Sequence, residues 1–341
     1  MTLPLDPWRR PRAAHEPPRV VLGTMNFGKR TDEVAAARIV DAALDRGITH
    51  LDTANAYVAG EGERLLGRLL RGRRDRLLLT SKVGLHRPGG VTAGLLTSGG
   101  EVEGLGPERI VAACDESLTR LGTDHLDLYL LHVPDRYTPL ERSLEGVARL
   151  LEAGKIRAWG TSNFASWQLL ELITLADRHG VPRPALSQQL YNVLVRQLDI
   201  EYFAFAARYG HHTSAYNPLA GGLLARPLPQ EDPAAPLTPA PGSRFDGNAM
   251  YQARYLTRRM RDNVARYTEL TQSLGCTLLE LAYEFVAARP GVDSILVGPA
   301  TVAHLDDALA ALAKPLGEDA LARIDALHLE LAGTDARYAR L

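Results

Sequence analysis

Eight short apolar runs, helical periodicity between them, and a spacing of 27–30 residues between most run starts predict an α/β fold, the (β/α)8 TIM barrel. The period is one βα unit with a right-handed crossover. Strand 1 at 19–23 precedes helix 32–46, which Gly47 closes, and strand 2 at 49–54 precedes helix 61–70. Strand 3 at 77–83 is followed by a Gly-rich stretch, 84–106, and then by helix 107–121 with Pro107 in its first turn. Strand 4 at 126–132 leads to helix 139–153, opened by Pro139 and followed by Gly154; strand 5 at 156–162 leads to helix 166–179, followed by Gly180. Strand 6 at 184–190 precedes helix 199–209. Strand 7 at 211–217 precedes a Pro-rich stretch, 218–250, and extra helices near 251–274 and 277–288. Strand 8 at 294–298 and helix 301–312 complete the barrel. The two long loops, after strands 3 and 7, emerge where barrel enzymes build their sites, so they are expected to shape the substrate pocket.

The 341 residues are 45% hydrophobic and 23% charged, an ordinary globular composition. Residues 1–18, rich in Pro and Arg, read as a flexible N-terminal tail, and 19–341 as a single barrel domain with a C-terminal extension. Thirty-nine basic against forty acidic side chains give a formal charge of -1, without the positive field a nucleic-acid binder needs. No stretch approaches 18 uninterrupted apolar residues, so no membrane partner is expected. Two cysteines, Cys114 and Cys276, are too few for a disulfide framework or a four-ligand zinc site. A cytoplasmic location and no metal are therefore expected.

Ionisable residues that end barrel strands point into the mouth, and three stand out: Asp52, Lys82 and His132. Tyr57 lies five residues beyond Asp52, close enough to turn back over them. Each alone has a bland reading: Asp52 as a loop cap, Lys82 as a solvated charge, His132 as a satisfied core histidine, Tyr57 as packing. Together they suit proton delivery to a carbonyl oxygen. A neighbouring ammonium is expected to lower the Tyr57 pKa toward the working range, Asp52 to hold Lys82, and His132 to orient a substrate oxygen. No side chain donates hydride, so a nicotinamide cofactor is implied.

Two competing motifs fail. Gly23-Thr-Met-Asn-Phe-Gly28-Lys29-Arg30 follows a strand like a P-loop, but Arg30 stands where a magnesium-holding hydroxyl belongs. No G-x-G-x-x-G follows any strand, so a Rossmann site is not supported. His211-His212 has no further ligand at useful spacing.

The segments Gly23-Thr-Met, Leu51-Asp-Thr-Ala-Asn-Ala-Tyr57, Thr80-Ser-Lys82, Leu126-Asp-Leu-Tyr-Leu-Leu-His132, Gly160-Thr-Ser-Asn-Phe164 and Ala215-Tyr-Asn-Pro-Leu-Ala-Gly-Gly-Leu223 resemble the aldo-keto reductases, over nearly the whole chain. The chain is most similar to the aflatoxin-aldehyde reductase type, through Asn163-Phe-Ala-Ser-Trp167 and Gly242-Ser-Arg-Phe-Asp-Gly247. The resemblance implies NADPH bound across the C-terminal face, Asp52, Tyr57, Lys82 and His132 as the catalytic tetrad, and Tyr57 as proton donor. It places Ser162, Asn163 and Gln188 on the nicotinamide carboxamide and Tyr216 against its ring. Gly23, Thr24 and Met25 line the cofactor, with Asp52, and Asn217, Pro218, Leu219, Gly221, Arg226, Arg244, Gly298, His304 and Asp307 extend the cofactor site.

The adenosine end departs from the family pattern. Ala300 stands for a phosphate-binding hydroxyl, His304 for a Gln or Arg, Ala308 for an Asn, and Arg226 is displaced beside Pro227. NADH is thus the alternative cofactor. The expected activity is reduction of an aldehyde or ketone by a homo-oligomer, in a specialised biosynthetic route. The alternatives are an NAD-dependent alcohol or sugar dehydrogenase, and a nucleotide-sensing subunit like the β subunits of potassium channels.

Overall fold

A computed structural model of the chain describes residues 3–13, 15–85, 103–228 and 237–333. Residues 86–102 of the loop after strand 3, 229–236 of the loop after strand 7, and the end of the C-terminal extension from 334 lie outside the described residues.

Eight parallel strands close a barrel in sequence order: β1 (Arg19–Gly23), β2 (His50–Asp52), β3 (Leu78–Val83), β4 (Leu126–Leu131), β5 (Ile156–Ser162), β6 (Leu186–Leu190), β7 (His212–Tyr216) and β8 (Ser294–Val297). Closure pairs Arg19 with Ser294 and Leu22 with Val297, which leaves no open sheet edge. The strands alternate with α1 (Glu33–Asp45), α2 (Glu61–Leu69), α3 (Pro107–Leu121), α4 (Leu140–Glu152), α5 (Ser166–His179) and α6 (Tyr202–Tyr209). After β7 come α7 (Ala249–Tyr255), α8 (Arg258–Leu274) and α9 (Leu278–Ala287), and after β8 come α10 (Val302–Leu312) and α11 (Glu318–Ala332).

The expected helices form because each has a readable start and one apolar stripe. In α3, Pro107 occupies the first turn, Ile110, Ala113, Cys114, Ser117, Leu118 and Leu121 are buried at helical spacing, and Gly122 ends the helix left-handed. The long helical pattern after β7 is broken at Thr257, whose hydroxyl accepts from Met260 N at 3.2 Å and so starts α8 anew.

Side chains alternate across each strand, and the two hydrophobic clusters separate accordingly. Val21, Leu78, Leu128, Leu130, Ala158, Leu186 and Leu296 fill the barrel interior, whereas Leu22, Leu51, Leu79, Tyr129, Trp159 and Ile295 face the helices. Asp52, Lys82, Ser162, Gln188 and Tyr216 share the inward parity at the C-terminal strand ends, and His132 continues it one residue past β4. Gly160 is required inside: a Cβ there would fall 2.3 Å from the Leu186 carbonyl oxygen.

The N-terminal segment differs from the expected loose tail. Leu5 and Trp8 are buried against the barrel interior, with the Trp8 ring edge-on to His50 at 4.2 Å between centroids. Arg12 locks the segment through its backbone N to Asp293 Oδ1 at 2.7 Å and its guanidinium to the Val292 and Ala287 carbonyls at 2.7 and 2.8 Å. An indole large enough to close the barrel floor, carried by a chain with these bonds, overrides the Pro- and Arg-rich composition. Helix α11 was likewise not visible as a helix in the sequence. It packs on α8 and buries only Ile324 and Leu327 fully, while Asp325 pairs with Arg196 at 2.8 Å. Among the described residues, no helix is long and apolar enough to cross a membrane.

Candidate active site

The mouth of the barrel brings Asp52, Lys82, His132 and Tyr57 together. Lys82, without solvent exposure, ion-pairs with Asp52 Oδ1 and donates to the Thr53 carbonyl at 2.8 Å. Asp52 Oδ2 accepts from Gln188 Nε2 at 2.9 Å. Its backbone carbonyl accepts from both the amide and the hydroxyl of Thr24 at 2.9 Å, which ties β1 to β2 behind the carboxylate. A tight turn, Tyr57–Gly60, carries the phenol back over the mouth, with Val58 and Ala59 both left-handed at φ 50° and 53°. The Tyr57 and His132 rings meet edge to face at 6.1 Å, and Lys82 Nζ lies 5.3 Å from the Tyr57 ring centre.

The electrostatics correct one expectation. Burial, followed by the charge of Asp52, pushes the Tyr57 hydroxyl well above the usual phenol range rather than below it. The Lys82 ammonium, directed to Asp52 and the Thr53 carbonyl, does not offset that burial. A phenol so placed stays protonated at neutral pH, the form a proton donor needs. Burial also lowers Lys82, against the opposing pull of Asp52. His132 is held well below the usual histidine range by burial and then by Lys82, so its imidazole is neutral at pH 7. Its Nδ1 is buried without a hydrogen-bond partner among the described residues.

Beside the tetrad, Ser162 and Gln188 are register neighbours on β5 and β6. Asn163, left-handed at φ 64°, donates to the His132 carbonyl and Ser162 Oγ, both at 3.0 Å, and accepts from the Tyr216 hydroxyl at 2.7 Å. Asn217, also left-handed at φ 64°, accepts from Gly221 N at 2.7 Å and donates to the Tyr255 hydroxyl at 2.7 Å, which shapes the turn through Pro218 and Leu219. Gly23 backs onto Gly298, and a Cβ on Gly23 would sit 3.7 Å from the Gly298 Cα. Met25 and Arg244 meet, with Arg244 Nη1 3.2 Å from Sδ and Nη2 donating to Asn26 Oδ1 at 2.8 Å. Arg226, His304 and Asp307 are exposed.

Three neighbours of the mouth escaped the sequence reading. Asn26 joins three loops, since its Nδ2 donates to the Gly298 and Pro299 carbonyls at 3.0 and 3.1 Å while its oxygen receives Arg244. Tyr251 and Tyr255, four residues apart on α7, stack with Arg254, and the Arg254 guanidinium lies beside the Tyr216 hydroxyl. The i, i+4 tyrosine pair was the available signal.

The aldo/keto reductase family profile matches residues 19–329. The chain belongs to the aldo/keto reductase family. The chain is 38% identical over 238 residues to a protein named aflatoxin B1 aldehyde reductase member 2 from Homo sapiens, covering 68% of this chain and 62% of that protein. The matched span thus covers less than two thirds of that relative. It is 30% identical over 309 residues to aldo-keto reductase family 7 member A3 from Homo sapiens, covering 86% and 88% of the two chains. It is also 33% identical over 310 residues to the uncharacterized oxidoreductase YrpG from Bacillus subtilis, covering 89% and 90%. The family is one of oxidoreductases that generally use a nicotinamide cofactor.

Proposed function

We propose that this chain is an NADPH-dependent reductase that converts an aldehyde or ketone to an alcohol, with Tyr57 as the proton donor. The carrying observation is the buried Lys82–Asp52 pair beneath the Tyr57 ring, which meets His132 edge to face, all at the C-terminal mouth. The side chains around the mouth fit a nicotinamide: hydroxyl and amide groups of Ser162 and Gln188 suit its carboxamide, and the Tyr216 ring at the end of β7 suits its flat face. When bound, the nicotinamide supplies the hydride.

Every other part of the step belongs to this chain. His132 donates through Nε2 to the substrate carbonyl oxygen and orients it. Tyr57 transfers its hydroxyl proton to that oxygen as charge develops there. Lys82 lowers the cost of the resulting phenolate, and Asp52 with Gln188 holds Lys82 in place. Low-dielectric surroundings strengthen each of these interactions.

The free thiols of Cys114 and Cys276 agree with a cytoplasmic setting, and we further propose a homo-oligomer handling a small carbonyl compound of specialised metabolism. NADH is the second reading of the cofactor, favoured by the segment after β8: no basic side chain lies between Gly298 and Ala308 except the exposed His304, and Asp306 is taken by Arg46 at 2.6 Å. Fluorescence titration with NADPH and NADH, followed by absorbance at about 340 nm against a panel of aldehydes and ketones, tests both points. Tight NADPH binding with carbonyl-dependent oxidation is expected. Preferential NADH binding would overturn the cofactor assignment, and binding without turnover would overturn the reductase in favour of a nucleotide sensor.

A further inference from the structure

We propose that Glu63 is a positioning residue that holds the Tyr57 turn and the Lys82 strand in a fixed relation, through Ser81 and Arg120. The role rests on reading Tyr57 and Lys82 as the reacting pair.

Glu63 stands six positions after Tyr57, in the first turn of α2, and is fully buried. Its two oxygens reach two different elements. Oε1 accepts from Ser81 Oγ on β3 at 2.5 Å, and Oε2 accepts from Arg120 Nε on α3 at 2.6 Å. Ser81 immediately precedes Lys82, so the strand points its hydroxyl out to Glu63 and its ammonium in to Asp52. The carboxylate therefore connects, by one side chain on each side, the segment bearing the phenol and the segment bearing the ammonium.

Helix α2 is seated unusually close to α3, which fixes where Glu63 can be. A Cβ on Gly67 would fall 2.7 Å from the Arg120 and Leu121 carbonyl oxygens, so only glycine permits this approach. Arg120 then reaches back under the turn, its stem 3.0 Å from where a Gly60 Cβ would stand, and its Nη2 donates to Ser117 Oγ at 3.2 Å.

This anchoring has a task. Val58 and Ala59 are both left-handed, a conformation unfavourable for any non-glycine residue. Such strain persists only where the surroundings over-determine it. On the N-terminal side the turn is held by Tyr57 N to the Ala54 carbonyl at 3.1 Å; on the C-terminal side the first buried anchor is Glu63. A buried ion pair contributes little to stability compared with apolar packing, but it specifies geometry.

The same carboxylate acts on Lys82 through space. The charged and titratable groups facing Lys82 are Asp52 and His50 from β2, Glu63 from α2, His132 after β4, and Tyr57 over the mouth. Those facing Glu63 are Arg120 and Cys114 on α3 and Tyr129 on β4. Asp52 and Glu63 both favour the ammonium against its burial. Removing the Glu63 charge therefore lets Lys82 lose its proton at lower pH.

Two variants of the full chain test the role. Glu63→Gln keeps an oxygen for Ser81 and removes the charge, and Ser81→Ala cuts the link to β3 while leaving the Glu63–Arg120 pair. We expect kcat to fall about tenfold or more in both, since small misplacements of reacting groups are costly, with cofactor Kd and KM within about twofold of the parent. In Glu63→Gln the alkaline limb of the kcat profile should move to lower pH. Ser81→Thr, which restores the hydroxyl, should recover most of the loss. Wild-type kcat and pH profile in folded Glu63→Gln and Ser81→Ala would overturn the proposal; if Glu63→Gln does not fold, an unchanged kcat in Ser81→Ala overturns it alone. Absence of carbonyl reduction by the parent chain would instead overturn the reading of the tetrad, and this role with it.

Discussion

Gln188 Nε2 donates to Asp52 Oδ2 at 2.9 Å across the barrel mouth, so the carboxylate that holds Lys82 by one oxygen is itself held by the other. Asp52 and Lys82 are both buried, and neither is stable without the other's charge. Asp52→Asn alone should destabilise the fold by about 3–5 kcal/mol, and so should Lys82→Met, because each leaves one buried group uncompensated. The double variant should be less destabilised than either change alone implies. Urea denaturation of the four proteins checks this, and simple additivity would contradict a coupled pair.

Acid should weaken the barrel through its floor. Burial pushes His50 and His212 down to about 3, and His211 to about 4. An unfolded histidine titrates near 6.5, so the unfolded chain takes up protons that the folded one refuses. Their contribution is therefore complete above about pH 6.5 and is lost as pH falls from there toward the folded values. Denaturation midpoints at pH 7 and 5 should show this loss, and His50→Gln with His212→Gln should flatten it. An equal slope in the double variant would contradict the assignment.

Ala59 is exposed and left-handed, so its methyl group contributes strain without burial. Ala59→Gly should raise stability by about 1 kcal/mol, the reverse of the usual effect of glycine. A thermal midpoint that is unchanged or lower would show that the turn is not strained.

Trp8 closes the barrel from below, at the end opposite the tetrad. Trp8→Ala should cost about 3–5 kcal/mol in chemical denaturation, yet leave cofactor affinity within about twofold. A large change in cofactor affinity would mean that floor and mouth are coupled.

The barrel was legible because its signals are local: eight apolar runs and helices with proline starts and glycine ends recur at nearly constant spacing. The tetrad positions followed from that spacing, since parity alone turns Asp52 and Lys82 inward. What remained hidden depends on distant partners. Nothing near Trp8 announces that it meets His50, and the narrow Ile324–Leu327 contact makes α11 a weak helical pattern. The direction of the Tyr57 shift was missed because sequence places Lys82 near the phenol without showing how far the fold takes the hydroxyl out of water, which with the Asp52 charge raises it. Glu63, in turn, reads as an ordinary acidic residue in a helix's first turn until Ser81 and Arg120 are seen to converge on it.

The central claim is that the Tyr57 hydroxyl gives the proton, and Tyr57→Phe tests it most directly because only one oxygen is removed. Single-turnover reduction of an accepted aldehyde should slow by about 10²–10⁴-fold while fluorescence titration returns an unchanged cofactor Kd. Retained turnover in Tyr57→Phe would contradict the account.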